Sequence, residues 1–264
     1  MSDLLNQYRL VRASSKSICR NLAAEDYVVQ PVVDVSPPKW HLAHTTWFFE
    51  RFILERSPSY RPFNKTFNYL FNSYYKTVGE HWQRGARGSL SRPGVRDILE
   101  YRFTIDEHMK LLISGGLDKE EKALLRIGIH HEQQHQELLL MDIKSILSFD
   151  PELRPYANYE RRESSSPTQK GWKTIEEGCY EFGAHSRGFS FDNERPVHKR
   201  HLRASQVSES LVTNGEYMDF IQDNGYGRAE LWMSKGWEWL KEENIQAPLY
   251  WSLEKGRPRE FTLY

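Results

Sequence analysis

The sequence holds only two cysteines, Cys19 and Cys179, separated by most of the chain, so no disulfide framework organises it. It has no run near the roughly 20 apolar residues that a membrane span needs. Its start, Met1-Ser2-Asp3-Leu4-Leu5-Asn6, lacks the basic and apolar regions of a signal peptide. Charge of one sign is also missing: 36 basic and 36 acidic residues cancel, and no basic stripe stands out, which argues against a nucleic-acid partner. No internal repeat or low-complexity tract occurs. These absences leave a cytoplasmic globular protein as the expectation. Aromatic residues are what the chain has in excess, with eight Trp and fourteen Tyr. Its 264 residues suffice for one large domain or two modest ones, each with a core.

The first half reads as helices. Leu4 to Asn21 has a mixed apolar face. Ser36-Pro37-Pro38 offers an N-cap followed by prolines suited to a first turn, and Trp40 to Glu55 follows as a helix. The stretch from Ser57 to about Arg87 reads as non-helical. Ser91-Arg92-Pro93 opens a third helix that runs through Leu112 and stops at Gly115-Gly116. Asp118-Lys119-Glu120-Glu121 has the form of a capping box and starts a long helix ending near Phe149. Four such helices suggest a bundle over residues 1–150. Residues 151–171 read as a linker, with two early prolines and Arg161-Arg162-Glu163-Ser164-Ser165-Ser166-Pro167. From Trp172 short β-prone pieces such as Cys179-Tyr180-Glu181-Phe182-Gly183 and Phe189-Ser190-Phe191-Asp192-Asn193-Glu194 alternate with Gly and Asn. A helix is expected from about Asn214 to Asn224, and the rest reads as loop-rich. The Trp-rich segments Leu231-Trp232 and Trp237-Glu238-Trp239 read as core of this second domain.

Chemistry concentrates in the histidines. His131 and His135 are four residues apart, so on a helix they leave from one face, which continues through Leu124 and Ile127 on one side and Leu138 and Asp142 on the other. Two buried imidazoles need partners, since an unsatisfied buried polar group costs about 1–3 kcal/mol, and a metal would satisfy both. His130 points about 100° away and reads as a surface residue or one that supports the ligands from behind. A second source is the helix holding Trp40, His41, His44, Trp47 and Phe48, on which either His41 or His44 could reach inward. Spacing alone leaves that choice open.

The stretch His131-Glu132-Gln133-Gln134-His135 also matches H-E-x-x-H, the zinc-peptidase pattern, with Glu132 as the would-be general base. Its extended form wants Gly and His three and six residues further on, where Leu138 and Met141 stand. Glu152 and Glu160, the other conceivable ligands, fall at the linker. The peptidase reading is therefore disfavoured.

Several stretches together resemble a known family, the iron-dependent sulfoxide synthases of ergothioneine biosynthesis. They are Lys39-Trp40-His41-Leu42-Ala43-His44-Thr45-Thr46-Trp47-Phe48-Phe49-Glu50, Tyr60-Arg61-Pro62-Phe63, Leu70-Phe71-Asn72-Ser73-Tyr74-Tyr75, Leu90-Ser91-Arg92-Pro93 and His130-His131-Glu132-Gln133-Gln134-His135-Gln136-Glu137-Leu138. Phe191-Asp192-Asn193-Glu194-Arg195-Pro196, Leu211-Val212-Thr213-Asn214-Gly215-Glu216-Tyr217 and Glu230-Leu231-Trp232-Met233-Ser234-Lys235-Gly236-Trp237 follow in the family's order. The specificity lies in this colinearity, which runs along nearly the whole chain.

The resemblance implies an α+β protein: a DinB-like four-helix bundle, then part of a domain similar to formylglycine-generating enzymes, with a C-type-lectin-like fold, over residues 172–264. It implies Fe(II) as cofactor, with His44, His131 and His135 as ligands, and Gln134 against the substrate imidazole. The Tyr74-Tyr75 pair matches a subgroup in which such tyrosines supply the catalytic phenol. Arg84, Arg87 and Arg92 are candidates for the carboxylate of the thiol substrate, since an arginine fork suits that role. The implied reaction joins the sulfur of cysteine or γ-glutamylcysteine to C2 of the imidazole of Nα-trimethylhistidine and oxygenates that sulfur. Forming the C–S bond releases two electrons and forming the sulfoxide two more. Together they reduce O₂, with one oxygen kept and one leaving as water. No nicotinamide or flavin is needed, which agrees with the lack of a G-x-G-x-x-G fingerprint after a predicted strand. A His₃ set leaves positions open for substrates, and the redox step calls for iron, since zinc has none to offer.

Three rival readings are weighed against this one: an ovothiol-type synthase acting at C5 of histidine, a DinB-like metal-dependent thiol transferase, and a degenerate binding module. Relatives in the family carry a longer second domain, and the chain stops on the β-prone Glu260-Phe261-Thr262-Leu263, so a truncated product with impaired catalysis is a further expectation.

Overall fold

The computed structural model describes residues 2–73, 75–157, 171–185, 188–253 and 258–264. Five helices form in the first part of the chain: α1 (Ser2–Ile18), α2 (Pro38–Phe52), the short α3 (Phe67–Phe71), α4 (Val95–Gly115) and α5 (Lys119–Leu147). The Arg161–Pro167 stretch of the expected linker lies outside the described residues. The chain divides into two compact units, residues 1–159 together with Phe261–Tyr264, and residues 160–260. The last four residues, expected in the second domain, thus group with the bundle. There the Leu263 carbonyl accepts the Tyr156 amide at 3.0 Å and its side chain packs on the core.

Helix ends follow local chemistry. Asp118 accepts the Glu121 amide at 2.7 Å, and the Glu121 carboxylate accepts the Asp118 amide at 2.8 Å, the reciprocal cap its sequence announces. Asp97 closes the start of α4 by accepting the Gly94 amide at 2.8 Å. At the start of α2 the expectation needs correction. Pro37, not Ser36, is the N-cap, with Pro38 in the first turn. The Ser36 hydroxyl instead accepts from Arg87 at 2.8 Å, and its amide donates to Asp142 at 2.9 Å. A second correction concerns the stretch read as non-helical. Phe67 and Phe71, four apart, both bury and meet edge to face at 5.0 Å, which is enough to fold one turn as α3.

The bundle is built around α2, whose residues from Pro38 to Glu50 are all buried. Its apolar side chains join Tyr8, Tyr101, Ile105, Met109, Leu125, Leu139 and Ile143 in one core. Its polar side chains are partnered. Glu50 accepts from the Tyr60 hydroxyl at 2.9 Å, the Phe63 amide at 2.7 Å and the Tyr101 hydroxyl, tying the loop after α2 to α4. Gly128 lets α5 approach α2 closely: a Cβ there would lie 2.5 Å from Phe49 Cε1 and 3.0 Å from Phe48 Cε1.

The most buried face of α5 carries Leu125, Gly128, Ile129, Glu132, Leu139 and Ile143. His131 and His135 border this face, and the Ile127 and Leu138 expected to extend their stripe inward are exposed. Glu132, fully buried, accepts from Ser15 at 2.6 Å, from Arg12 at 2.9 Å and from Arg102. Arg12 also reaches Asp106 at 2.6 Å and the Thr46 hydroxyl at 2.9 Å. One network therefore joins α1, α2, α4 and α5. Burial alone would raise the Glu132 pKa, but Arg102 and Arg12 override it and bring the carboxyl down to about 2.

Among the described residues the second unit forms three separate two-stranded antiparallel sheets. β1 (Trp172–Ile175) pairs with β4 (Ser205–Ser208), β2 (Gly178–Phe182) with β3 (His198–Leu202), and β5 (Trp251–Ser252) with β6 (Arg259–Glu260). Helix α6 (Asn214–Gln222) forms where expected, capped by Thr213, which accepts the Glu216 amide at 3.2 Å. Phe189–Glu194 does not form a strand, and its last three residues make a 3₁₀ turn. A helix the sequence reading passed over, α7 (Ser234–Glu242), carries Trp237 and the buried Leu240. The Trp-rich segments are only partly core: Trp232 packs with Phe220 and Tyr226 and donates to the Gly225 carbonyl at 2.9 Å, whereas Leu231 and Trp239 are about half exposed.

Glu132→Gln removes the one charge that two buried guanidinium groups share, and it is expected to destabilise the chain by about 3–5 kcal/mol, read from the urea unfolding midpoint. An unchanged midpoint would show that the network is not what locks α5.

Candidate metal centre

His44 leaves the buried middle of α2, and His131 and His135 leave α5 one turn apart. The helix crossing that Gly128 permits brings the three together, with one ligand atom from each within 4.8 Å of the others. Nε2 of His44 lies 3.2 Å from Nε2 of His131. Two imidazole nitrogens sharing an ion at ~2.1 Å would stand about 3.0–3.4 Å apart, so this spacing fits a common ion.

Protonation fits as well. His44 Nδ1 donates to the Phe71 carbonyl at 2.6 Å, which leaves a lone pair on Nε2. Burial, reinforced by His131, pushes the His44 pKa well below its usual value. Burial does the same to His135, reinforced by His44 and His41. It brings His131 down to about 4, with Glu132 pulling weakly the other way. All three rings are neutral at pH 7 and need lose no proton to a metal. Nδ1 of His131 is buried without a hydrogen-bond partner among the described residues, so this ring has no protein polar contact besides His44. The set matches what a divalent ion needs, and the protein alone leaves it under-satisfied.

Aromatic rings fix the imidazoles. Trp40 and Trp47, one turn either side of His44, stack on it at 4.5 and 5.5 Å between ring centres, and Phe48 lies 4.9 Å from His131. The histidines open on a cavity of about 410 Å³ whose wall also includes Tyr75, Arg84 and Arg87. Tyr75 packs on Trp47 and Phe52, and burial raises its pKa, so it is a protonated phenol. Arg87 is 5 % exposed, with its guanidinium 3.3 Å over the outer face of Trp40 and its amino groups on Ser36 at 2.8 Å and Ser73 at 3.3 Å. Arg84 donates to the Asp34 carbonyl at 2.6 Å. Gln134 and Arg92 are exposed and do not line this cavity, and Tyr74 lies outside the described residues.

The structure separates readings the sequence left open. His41 points toward His135 and Asp142 and stands outside the cluster, so His44 is the candidate that α2 contributes to it. Glu132 is bound by two arginines in the core and is unavailable as a peptidase base. Sequence reasoning missed the Arg87–Trp40–His44 stack and the roles of Ser36 and Ser73. Only the spacing of Trp40 and His44, one turn apart, signalled part of it.

Comparison with known proteins adds two domain matches. Residues 7–139 match the DinB superfamily, and residues 158–259 match the sulfatase-modifying factor enzyme 1-like domain. The chain is 40% identical over 62 residues to a protein named hercynine oxygenase from Mycobacterium tuberculosis, covering 24% of this chain and 15% of that one. It is 36% identical over 70 residues to the hercynine oxygenase of Mycolicibacterium smegmatis, covering 26% and 16%. It is 24% identical over 168 residues to ergothioneine biosynthesis protein 1 of Neurospora crassa, covering 58% and 19%. The chain thus matches less than a fifth of the length of each of these relatives. The domain pair and the named relatives agree with the resemblance and the α+β class read from the sequence. Among the described residues no helix is long and apolar enough to cross a membrane.

Free imidazoles titrate near 6.5, whereas His131 in the fold stays neutral down to about 4. Between these values the unfolded chain binds a proton that the native chain does not. Stability is therefore complete above about 6.5 and drains away as pH falls toward 4. The urea midpoint of the metal-free protein should drop between about pH 7 and about pH 5, and His131→Asn should lessen the drop. Equal pH slopes in the two proteins would contradict a buried neutral ring.

Proposed function

The chain belongs to the DinB superfamily, and on that premise we propose that it is a non-haem iron(II), O₂-dependent sulfoxide synthase. Its substrates in this reading are Nα-trimethylhistidine and cysteine or γ-glutamylcysteine, joined at imidazole C2 and oxidised at sulfur. The observation that carries the proposal is the convergence of His44, His131 and His135, all neutral, on the wall of a cavity with room for small molecules. The names of the relatives point to the same chemistry. A domain of the sulfatase-modifying factor type after the bundle favours this reading over a thiol transferase built on a DinB bundle alone.

The three imidazoles would hold the ion through neutral nitrogens and leave its charge to anionic ligands. Iron(II) supplies the redox capacity and the affinity for thiolate and O₂ that the reaction needs. The other roles fall to side chains of the cavity wall. Tyr75 presents a protonated phenol and can deliver a proton beside the reacting sulfur and oxygen. Arg87, held in place by Trp40, Ser36 and Ser73, presents a fixed positive charge suited to a substrate carboxylate. Trp40 and Leu138 give the wall apolar surface, while Trp47 packs on the His44 ring and Phe48 on the His131 ring.

Anaerobic titration of the full chain with Fe(II) is expected to show one tight site that His131→Ala abolishes. With Fe(II), O₂, trimethylhistidine and either thiol, mass spectrometry should detect the sulfoxide; product from plain histidine alone would select the ovothiol-type reaction. Tyr75→Phe should keep the metal and lower turnover by about 10²–10⁴-fold, the usual worth of a positioned proton donor. Unaltered turnover in that variant would remove Tyr75 from the reaction.

A further inference from the structure

His41 lies one turn before His44 on α2, is 3 % exposed and stands outside the three-histidine cluster, yet both its ring nitrogens are engaged. Nε2 is 2.7 Å from Asp142 Oδ2, and Nδ1 is 2.9 Å from Nδ1 of His135. Asp142 is itself anchored, since the same oxygen accepts the Ser36 amide at 2.9 Å. An ionised carboxylate only accepts, so the proton between Asp142 and His41 belongs to Nε2 of His41. A neutral His41 then has its lone pair on Nδ1, and the nitrogen opposite, Nδ1 of His135, must carry the proton of that contact. His135 is left with its lone pair on Nε2.

We propose that His41 and Asp142 are positioning residues of the metal centre, forming a chain Asp142–His41–His135 that fixes both the ring plane and the tautomer of His135. Ser36 just before α2, His41 on α2, and His135 and Asp142 on α5 make this chain a brace across the helix crossing that creates the site. His44 has its counterpart in the Phe71 carbonyl. The third ring, His131, has no such partner among the described residues. Two of the three ligands are thus held from outside by hydrogen bonds, and His131 is held by packing against Phe48. Removing an outer partner of this kind typically weakens metal binding by about 10- to 100-fold.

The inference rests on the metal reading of the three histidines, and its test keeps the two apart. In the unaltered full chain loaded with Zn(II), long-range ¹H–¹⁵N spectra of the imidazoles should place the proton of His135 on Nδ1 and that of His41 on Nε2. A proton on Nε2 of His135 overturns the proposal. In Co(II) titrations, His41→Phe keeps a ring of similar size but offers no acceptor. It should weaken binding about 10- to 100-fold and shift the visible Co(II) bands. His41→Asn places an amide oxygen near the position of Nδ1 and should recover most of that loss. Unchanged Co(II) binding in His41→Phe, or an Asn variant as weak as Phe, counts against the chain. Co(II) binding that survives His131→Ala instead overturns the three-histidine reading on which it rests.

Discussion

Glu132 is fully buried between the guanidinium groups of Arg12 and Arg102, and a carboxylate so placed allows little rotation of the helix that carries it. On α5 it follows His131 by one residue and precedes His135 by three. Holding its direction therefore holds theirs, about 100° and about 60° away around the helix and both on the same side. The two arginines come from α1 and α4, and Thr46 of α2 joins through Arg12, so every long helix of the bundle has a stake in that rotation. A network of this kind adds little net stability compared with a well-packed apolar core. Its effect is that other rotations of α5 would leave two charges buried and unpaired. A metal centre depends on directions to within a fraction of an ångström, and this constraint supplies them.

On the adjoining face of the same helix the logic is reversed. Around His44, His131 and His135 the protein supplies aromatic faces in place of countercharges. Stacking by Trp40 and Trp47 restricts the His44 ring while donating no hydrogen bond to its free nitrogen. Burial keeps the rings neutral, so the fold stores lone pairs ready for an ion. α5 thus separates two kinds of buried polarity, one satisfied within the protein and one left for a ligand.

Much of this was legible in the sequence, for reasons that can be named. The i, i+4 pair of His131 and His135 survives any uncertainty in helix ends, and the cap at Asp118–Glu121 is a local interaction that needs no tertiary context. Ser36 was misread because its hydroxyl is claimed by Arg87, fifty-one residues away, and no local pattern reports that competition. Glu132 matched a peptidase pattern because a pattern records spacing but not which way a carboxylate faces, and two distant arginines decide that. His41 and His44 could not be separated by periodicity, since positions three apart on a fully buried helix both point inward. What separates them is the partner each meets, His135 with Asp142 for one and the Phe71 carbonyl for the other. In the second unit α7 was passed over because its glycine and five polar residues weaken the apolar rhythm, and its short span buries little beyond Leu240.

The charge balance of the cavity constrains what it favours. Three neutral imidazoles would leave a divalent ion's charge wholly uncompensated, and the rings packed on them, Trp40, Trp47 and Phe48, bring no countercharge. Arg87 adds a further positive charge one indole ring away from His44. Of the two carboxylates on this wall, Asp142 already accepts from His41 and the Ser36 amide, and Asp34 is exposed beside Arg84. An ion bound here would gain most from anionic ligands entering the open cavity, and Arg87 would favour a second negative group on the same molecule. A thiol that also bears a carboxylate satisfies both demands at once, whereas a neutral amine or an alcohol satisfies neither.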